Sequence, residues 1–341
     1  MVKMESRRAY LEIKYNNADI SKHIEPYMKN WTFTDNLSGQ ADDLQITLLD
    51  RDKLWINDWM PQKGATLKAN IVRNNWTHWG QIERAVLGVF DVDEIETSGP
   101  PSSITMKGIS VPVTSSLNGQ TKNKAWEKVK LKVILQDIAK QNGLKLFYDT
   151  SENPEYDRIE QTEQTDLQFM TKLCNDAGLC LKVSNQSVVV FDEEKYEQNS
   201  PIMTLEYGVS LIKSYSGRTT LTGAYKSCRI EYQDSESKKK ITATFTPAKP
   251  IKTERILVVN ERVTSIAEAQ RLAKKRLREA NKEAVTMSLT VVGDLSLFAG
   301  RTVLVKGFGE FDGKYLITQA THSQQSGYET RIEIRKCLEG Y

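Results

Sequence analysis

The sequence predicts a mainly β protein with an α+β insertion, arranged as two barrel-like β domains with a small α+β module between them. Three observations carry this. Short strand-like runs recur from the start to about residue 117, divided by Gly, Pro and Asn turn signals, a spacing typical of sandwiches and barrels. Two helices with their own N-terminal caps interrupt that pattern further along. The last fifty residues return to strands, with Gly300, Gly307, Gly309, Gly313 and Gly327 between the runs, where the chain must reverse. The expected division is 1–117 for the first β domain, 118–200 for the α+β module and 201–341 for the second β domain with one long helix over 265–282.

In the first domain, Ala9–Lys14 alternates and reads as a strand, followed by a turn at Asn16-Asn17. Trp31–Thr34 is a second strand. Leu44, Ile46 and Leu48 alternate with polar residues, as in a strand with one buried face, and Asp50-Arg51-Asp52 ends it. Thr66–Val72 runs to a hairpin tip at Asn74-Asn75. Ala85–Asp93 continues with apolar positions Val89, Val92 and Ile95, and Ile104–Ile109 returns after a Ser/Gly/Pro turn. Asp35, Gly39 and Asp50 are assigned to turns.

The second segment begins with Trp126, Val129 and Leu131 leading into a helix that carries Ile134, Leu135 and Ile138, stopped at Asn142-Gly143. Leu144–Tyr148 is a strand, and a polar loop containing Asn153-Pro154 follows. Thr165-Asp166-Leu167-Gln168 fits a capping box, and Gly178 ends the helix it opens. Leu181–Ser184 and Ser187–Phe191 form a hairpin over Asn185-Gln186.

In the third segment, Cys228–Gln233 and Ile241–Thr246 are strands joined by a polar tip over 234–240, and Arg255–Asn260 is another. Ser265-Ile266-Ala267-Glu268 is a second capping box. The helix after it presents an alanine-rich stripe of Ile266, Ala269, Ala273, Leu277 and Ala280. Met287–Val292, Val303–Val305, Lys314–Gln319 and Glu329–Arg335 complete the β unit.

Composition bounds the function classes. The apolar fraction of 39% and charged fraction of 27% are those of a soluble globular chain of 341 residues, long enough for about two domains. No run approaches the ~20 apolar residues of a membrane-spanning helix, and the start lacks a secretion signal. The net charge of +3 divides into −5 for residues 1–200 and +8 for 201–341. Opposite halves of this kind suit packing against one another or against neighbouring copies. The basic face of the long helix, Arg271, Lys274, Lys275, Arg276 and Arg278, is the candidate interface. Aromatic interleaving for nucleic-acid stacking is absent from it, so no specific nucleic-acid binding is expected.

Catalytic and cofactor chemistry finds little support. Cys174, Cys180, Cys228 and Cys337 show no metal-like spacing and read as reduced, mostly buried thiols. His23, His78 and His322 have no ligand or nucleophile partner at usable spacing. Asp91, Asp93, Glu94 and Glu96 read as a solvated strand face rather than a glycosidase pair. GFGEFDG (307–313) has the glycines of a phosphate loop but no helix after it. Trp55, Trp59, Trp76 and Trp79 read as packing and subunit contact rather than a sugar platform. No catalytic, cofactor or metal residue is assigned.

Four stretches together resemble the late control gene D family, the baseplate hubs of contractile phage tails: DNLSGQADDLQITLLDRD, AWEKVKLKVILQDIAKQNGLKLFYD, IEQTEQTDLQFMTKLCNDAGLCLKV and LFAGRTVLVKGFGEFDGKYLITQATHS. The third matches a Q-x-x-x-(S/T)-D-L-x-F-x-x-x-L-x-x-x-x-G-L pattern through Gln161, Thr165, Asp166, Leu167, Phe169, Leu173, Gly178 and Leu179. The fourth carries Gly300, Gly307, Gly309, Gly313, Tyr315 and His322. The resemblance implies a non-enzymatic structural subunit, a homotrimer whose six barrels match the sixfold tail tube and carry a threefold central spike around an axial channel. It implies tail tube, central spike, baseplate wedge and tape measure proteins as partners. It places the chain in the tail baseplate of a phage or tailocin, made in the host cytoplasm. Type VI secretion spike proteins share the hub module but continue into further domains. The alternative reading is a cell-wall hydrolase or carbohydrate-binding tail component.

Overall fold

The computed structural model describes residues 6–112, 116–233 and 240–341. The polar tip expected over 234–240 lies almost wholly outside them. The chain forms two compact units. Unit 1 holds Met1–Glu193, Thr290–Ala299 and Thr318–Ile332; unit 2 holds Glu194–Leu289, Gly300–Ile317 and Glu333–Tyr341.

In unit 1, β1 (Arg8–Tyr15) turns through Asn16 and Asn17 into β2 (Ala18–Asp19). Both turn residues have positive φ, at 46° and 70°, which suits a two-residue hairpin whose twist matches its strands. A short helix α1 (Ser21–Ile24) leads to β3 (Met28–Asn36), β4 (Asp43–Leu49), β5 (Thr66–Asn74), β6 (Ile82–Ser98) and β7 (Ser103–Ile109). Leu44, Ile46 and Leu48 are fully buried, as their alternation requires. The expected set Val89, Val92 and Ile95 needs correction, because a spacing of three cannot keep one face of a strand. Phe90 and Val92 face the core, and a register shift between Val92 and Glu94 sets Ile95 opposite Met106. Trp31, Phe33, Leu67, Ile71, Phe90 and Met106 centre one apolar core.

The remainder of unit 1 begins at α2 (Ser116–Gly119) and β8 (Thr121–Lys130). There follow α3 (Leu131–Gln141), β9 (Lys145–Asp149), β10 (Glu155–Thr165), α4 (Asp166–Asp176), β11 (Cys180–Ser184) and β12 (Ser187–Phe191). β8 pairs antiparallel with β10, and β12 lies between β11 and a parallel β9. Trp126 and Val129 lead into α3 as expected but lie on a strand, and β10 starts directly after the expected polar loop at Asn153-Pro154. Trp126 stacks on Phe169 of α4 with centroids 5.4 Å apart. Ile134, Leu135, Ile138, Met170, Leu173 and Cys174 fill a second core. Burial pushes the Cys174 thiol up to about 12, so it packs as a neutral hydrophobe.

Unit 2 follows α5 (Glu193–Gln198) with β13 (Thr204–Glu206), β14 (Ile212–Thr219), β15 (Ser227–Gln233), β16 (Lys240–Phe245) and β17 (Ile256–Val259). The long helix α6 (Ile266–Asn281) precedes β18 (Val285–Val292), β19 (Thr302–Lys306), β20 (Gly313–Gln324) and β21 (Tyr328–Lys336). α6 packs on the β16–β15–β17 sheet over a third core that includes Cys228, Ile230, Ala273 and Leu277. The stripe of α6 is Ala269, Ala273, Leu277 and Asn281, all fully buried. Ile266 is exposed, and the fourfold spacing reaches Asn281 where the sequence suggested Ala280. Asn281 exchanges hydrogen bonds with the Tyr225 backbone at 2.8 and 2.9 Å and donates to the Tyr341 hydroxyl at 2.6 Å. A polar residue thus ends the stripe with its side chain satisfied.

β18, β20 and β21 contribute residues to both units. Within unit 1, Gln319–Gln324 pairs with β3, and the strand order is β21–β20–β3–β4–β7–β6–β5–β1–β2. Within unit 2 the order is β14–β18–β21–β20–β19–β13. Both orders are open among the described residues. The mainly β class and the small α+β module hold. No helix among the described residues is long and apolar enough to cross a membrane.

Candidate functional site

The surface of unit 2 that departs most from an ordinary soluble surface surrounds β14. Among the described residues this strand pairs with β18 alone, and every residue of it after Ile212 is exposed. The loop before it, 206–211, is held by hydrogen bonds from the Val209 and Ser210 amides to the Glu206 carbonyl and from the Glu206 amide to the Ser210 hydroxyl. Gly208, at φ 77°, makes the turn possible. So fixed, the loop holds Val209 and Leu211 in solvent at 72% and 71% exposure, beside Tyr207 at 56% and Tyr215 at 52%. Large apolar side chains gathered at such exposure depart from an ordinary soluble surface.

An aromatic concavity of about 430 Å³ adjoins the strand, lined by Tyr207, Tyr215, Gly217, Met287, Gly307, Phe308 and Phe311. Tyr215 meets Phe308 edge-on at 4.9 Å, and Tyr207 meets both at 5.5–5.7 Å. Gly217 lets the Phe311 ring lie close, since a Cβ there would come within 2.9 Å of it. Phe308 and Phe311 build this hollow. The sequence reading did not find β14 or the Tyr207–Leu211 loop; the aromatic and aliphatic residues at 207, 209, 211 and 215 were their signal.

GFGEFDG is the loop of the β19–β20 hairpin. Gly307 has φ 82°, and the Phe308 amide donates to Asp312 at 2.7 Å. Gly313 stands opposite Val305 at φ 142°, and a Cβ on it would meet the Lys336 side chain at 2.8 Å. Gly313→Val is therefore expected to lower the stability of unit 2 by about 1–3 kcal/mol, read as a fall in its thermal unfolding temperature. Unchanged unfolding would refute the backbone account of this glycine. Gly300, at φ 83°, precedes β19, and its amide donates to the Ile317 carbonyl.

The basic face of α6 is largely occupied within unit 2. Lys274 pairs with Glu194 at 3.0 Å, Arg276 with Glu261 at 2.7 Å and Arg278 with Glu197 at 2.5 Å. Arg335 reaches the same Glu197 oxygen at 2.5 Å, and the Leu338 amide donates to its other oxygen at 3.1 Å. Arg271 and Lys275 lie on the same helix. The second capping box is only half formed. Ser265 accepts from the Glu268 amide, but Glu268 turns to the Thr264 hydroxyl and amide, which hold its carboxyl below the ordinary range.

In unit 1 the assigned turn residues separate into different roles. Asp50 closes the turn after β4 by accepting from the Trp55 and Ile56 amides at 2.9 and 3.2 Å. Gly39 and Gly178 take positive φ of 79° and 68°. Asp166 is buried at the start of α4 and accepts from Lys122 at 2.5 Å, Asn142 at 2.8 Å and Gln161 at 3.0 Å. Burial raises its pKa, but these donors outweigh that and hold it below the usual carboxylate range. Both halves of the Thr165 capping box are present. The Gln161…Thr165-Asp166 motif is thus the wiring of a helix N-terminus.

Asp35 lies on β3 rather than in a turn. It pairs with Lys182 of β11 and accepts from the Ala299 amide at 2.8 Å; Asp42 contacts the same ammonium at 2.9 Å. His322 is buried among Phe33, Phe298 and Tyr328. Trp55 and Trp59 cross at 77°, Trp55 is buried, and Trp76 packs on Tyr328 under Arg7. Two crossed rings offer no flat face for a sugar.

Residues 110–328 match the family profile described as phage tail baseplate hub (GPD). The chain belongs to the phage tail baseplate hub family. The hub chain is 24% identical to the probable baseplate hub protein of Escherichia phage 186, over 94% of its own length and 90% of the relative's. Its fold is similar to that of the 43 kDa tail protein of prophage MuSo2 from Shewanella oneidensis, with a TM-score of 0.72 at 16% identity, covering 97% and 99% of the two chains. A component of the type VI secretion system of E. coli shares the fold over all of this hub and 78% of that chain, with a TM-score of 0.60 at 12% identity. The protein is a baseplate hub of a contractile phage tail. The hydrolase alternative gains no support from these relatives.

Proposed function

We propose that the hub acts as a trimeric ring that joins the sixfold tail tube to the threefold central spike around an axial channel. Two similar β barrels per subunit would then present six near-equivalent faces on one side and three on the other. The segments 1–117, 118–200 and 201–341 are its working modules, each supplying most of one apolar core, with Tyr328 added to the first and Val111 and Leu117 to the second. The tape measure and baseplate wedge proteins complete the set of partners. The role is structural rather than enzymatic, in a phage or tailocin baseplate assembled in the host cytoplasm.

One observation carries the assembly reading: an exposed edge strand flanked by Tyr207, Val209, Leu211 and Tyr215. Free edges with apolar flanks invite strand addition, and soluble proteins keep them only where a partner covers them. Closed rings need such a patch to meet a complementary one on the next copy. The double substitution Val209→Glu and Leu211→Glu is expected to leave the fold intact and to abolish ring formation. Light scattering and electron microscopy of the hub, alone and mixed with its tube protein, read this out. Rings formed normally by the variant would overturn the role given to this edge. A wild-type chain that stays monomeric even with its tube and spike proteins would overturn the ring itself.

A further inference from the structure

The Asp35, Asp42 and Lys182 cluster has a chemistry that the hub role does not use. It joins three elements of unit 1: β3, the start of β4 and β11. Lys182 Nζ contacts the Asp35 carboxylate, lies 2.9 Å from Asp42 Oδ1 and donates to the Asn36 carbonyl at 2.7 Å. The second Asp35 oxygen accepts from the Ala299 amide at 2.8 Å, and Asp42 Oδ1 accepts from the Asn36 amide at 2.9 Å. Both aspartates are buried. An amine is thus held against one oxygen of a carboxyl group, a backbone N–H sits on the other oxygen, and a second carboxyl touches the amine.

We propose that Lys182 and Asp35 condense within the folded chain to form an amide cross-link between β11 and β3, with Asp42 moving the protons. Burial makes Asp42 retain a proton more readily than an ordinary aspartate. Burial disfavours the Lys182 ammonium, but Asp35 and Asp42 outweigh this and keep it charged. Transfer of one proton from Nζ to Asp35 yields a neutral amine beside a neutral acid, the form a water-poor site tolerates best. Nζ then attacks Asp35 Cγ, and the developing oxyanion is met by the Ala299 N–H. Asp42 takes a proton from the nitrogen and returns one to the departing hydroxyl. A C–N bond forms, a C–O bond breaks, and one water leaves. No oxidant, reductant or cofactor enters the balance. Fixed proximity supplies the drive, because intramolecular pairs of this kind react at very high effective concentration.

The test is intact-mass spectrometry of the purified full chain, followed by tryptic mapping. Condensation lowers the mass by that of one water, about 18 Da, and joins the Asp35 peptide to one in which trypsin fails to cut after Lys182. The link bridges positions 147 residues apart, so the denatured chain migrates ahead of an uncross-linked control on a gel. Lys182→Arg is expected to show the full sequence mass, and Asp42→Asn to slow the loss at least tenfold. Circular dichroism establishes that each variant is folded. A wild-type chain at full mass after days at room temperature overturns the proposal whatever the variants do. So does a water loss that persists in Lys182→Arg, which would mark a succinimide elsewhere, or a cross-link mapped to Asp42.

Discussion

Replacing Glu197 by alanine is expected to destabilise unit 2 by about 3–5 kcal/mol, the cost of removing a buried carboxylate from an ion-pair cluster. Arg278 and Arg335 converge on one Glu197 oxygen, and the other accepts the Leu338 amide. The Arg335 side chain is 1% exposed and that of Glu197 5%, so water cannot replace the lost carboxylate. Glu197→Gln, which keeps the shape but leaves one oxygen to serve either Leu338 or the arginines and removes the charge, should cost nearly as much. Thermal unfolding followed by calorimetry, with hydrogen exchange to localise the loss, separates the two. A loss in Glu197→Gln much smaller than in Glu197→Ala would show that shape rather than charge is what this position supplies. Because α6 carries Arg278, the loss should spread to the sheet beneath it.

That cluster also shows what the sequence could and could not disclose. The charge contrast between the two halves of the chain was legible, as was the basic face of α6. Its partners were not, because Glu194 and Glu197 lie eighty and eighty-one residues away from Lys274 and Arg278. Buried strands such as β4 were legible because one face is wholly apolar, and α4 was legible because its cap is local. β8 and β10 escaped because lysine, glutamate and glutamine fill most of their positions, leaving only Trp126, Val129, Tyr156 and Ile159 to mark a half-buried face. β14 escaped for the opposite reason. It buries almost nothing within the chain, so no alternation was imposed on it. The residues that sequence patterning reads least well are those that bury little within the chain, and the proposed assembly surface rests on them.

His322 gives the clearest pH-dependent expectation. Burial pushes its pKa down to about 4, from an ordinary value of 6.5. Its Nε2 donates to the Leu297 carbonyl at 2.9 Å, so Nδ1 is the acceptor that receives the Tyr328 hydroxyl at 2.8 Å. Protonation would place a second N–H where that acceptor stands. Asp35, Asp294 and Arg73 are the nearest charges, the aspartates favouring the cation and the arginine opposing it. Between pH 6.5 and 4 the unfolded chain binds the extra proton and the folded chain does not, so this group's stabilisation is complete above pH 6.5 and falls as the pH is lowered. The total is about 3 kcal/mol over that window. Asp42, whose raised affinity for protons acts in the opposite sense, offsets part of it. His322→Gln keeps one donor and one acceptor but does not titrate. The wild-type chain should therefore lose about 3 kcal/mol more than this variant on going from pH 7 to pH 4, measured by denaturant unfolding. Parallel stability curves for the two would mean that the imidazole is not held neutral in the folded hub.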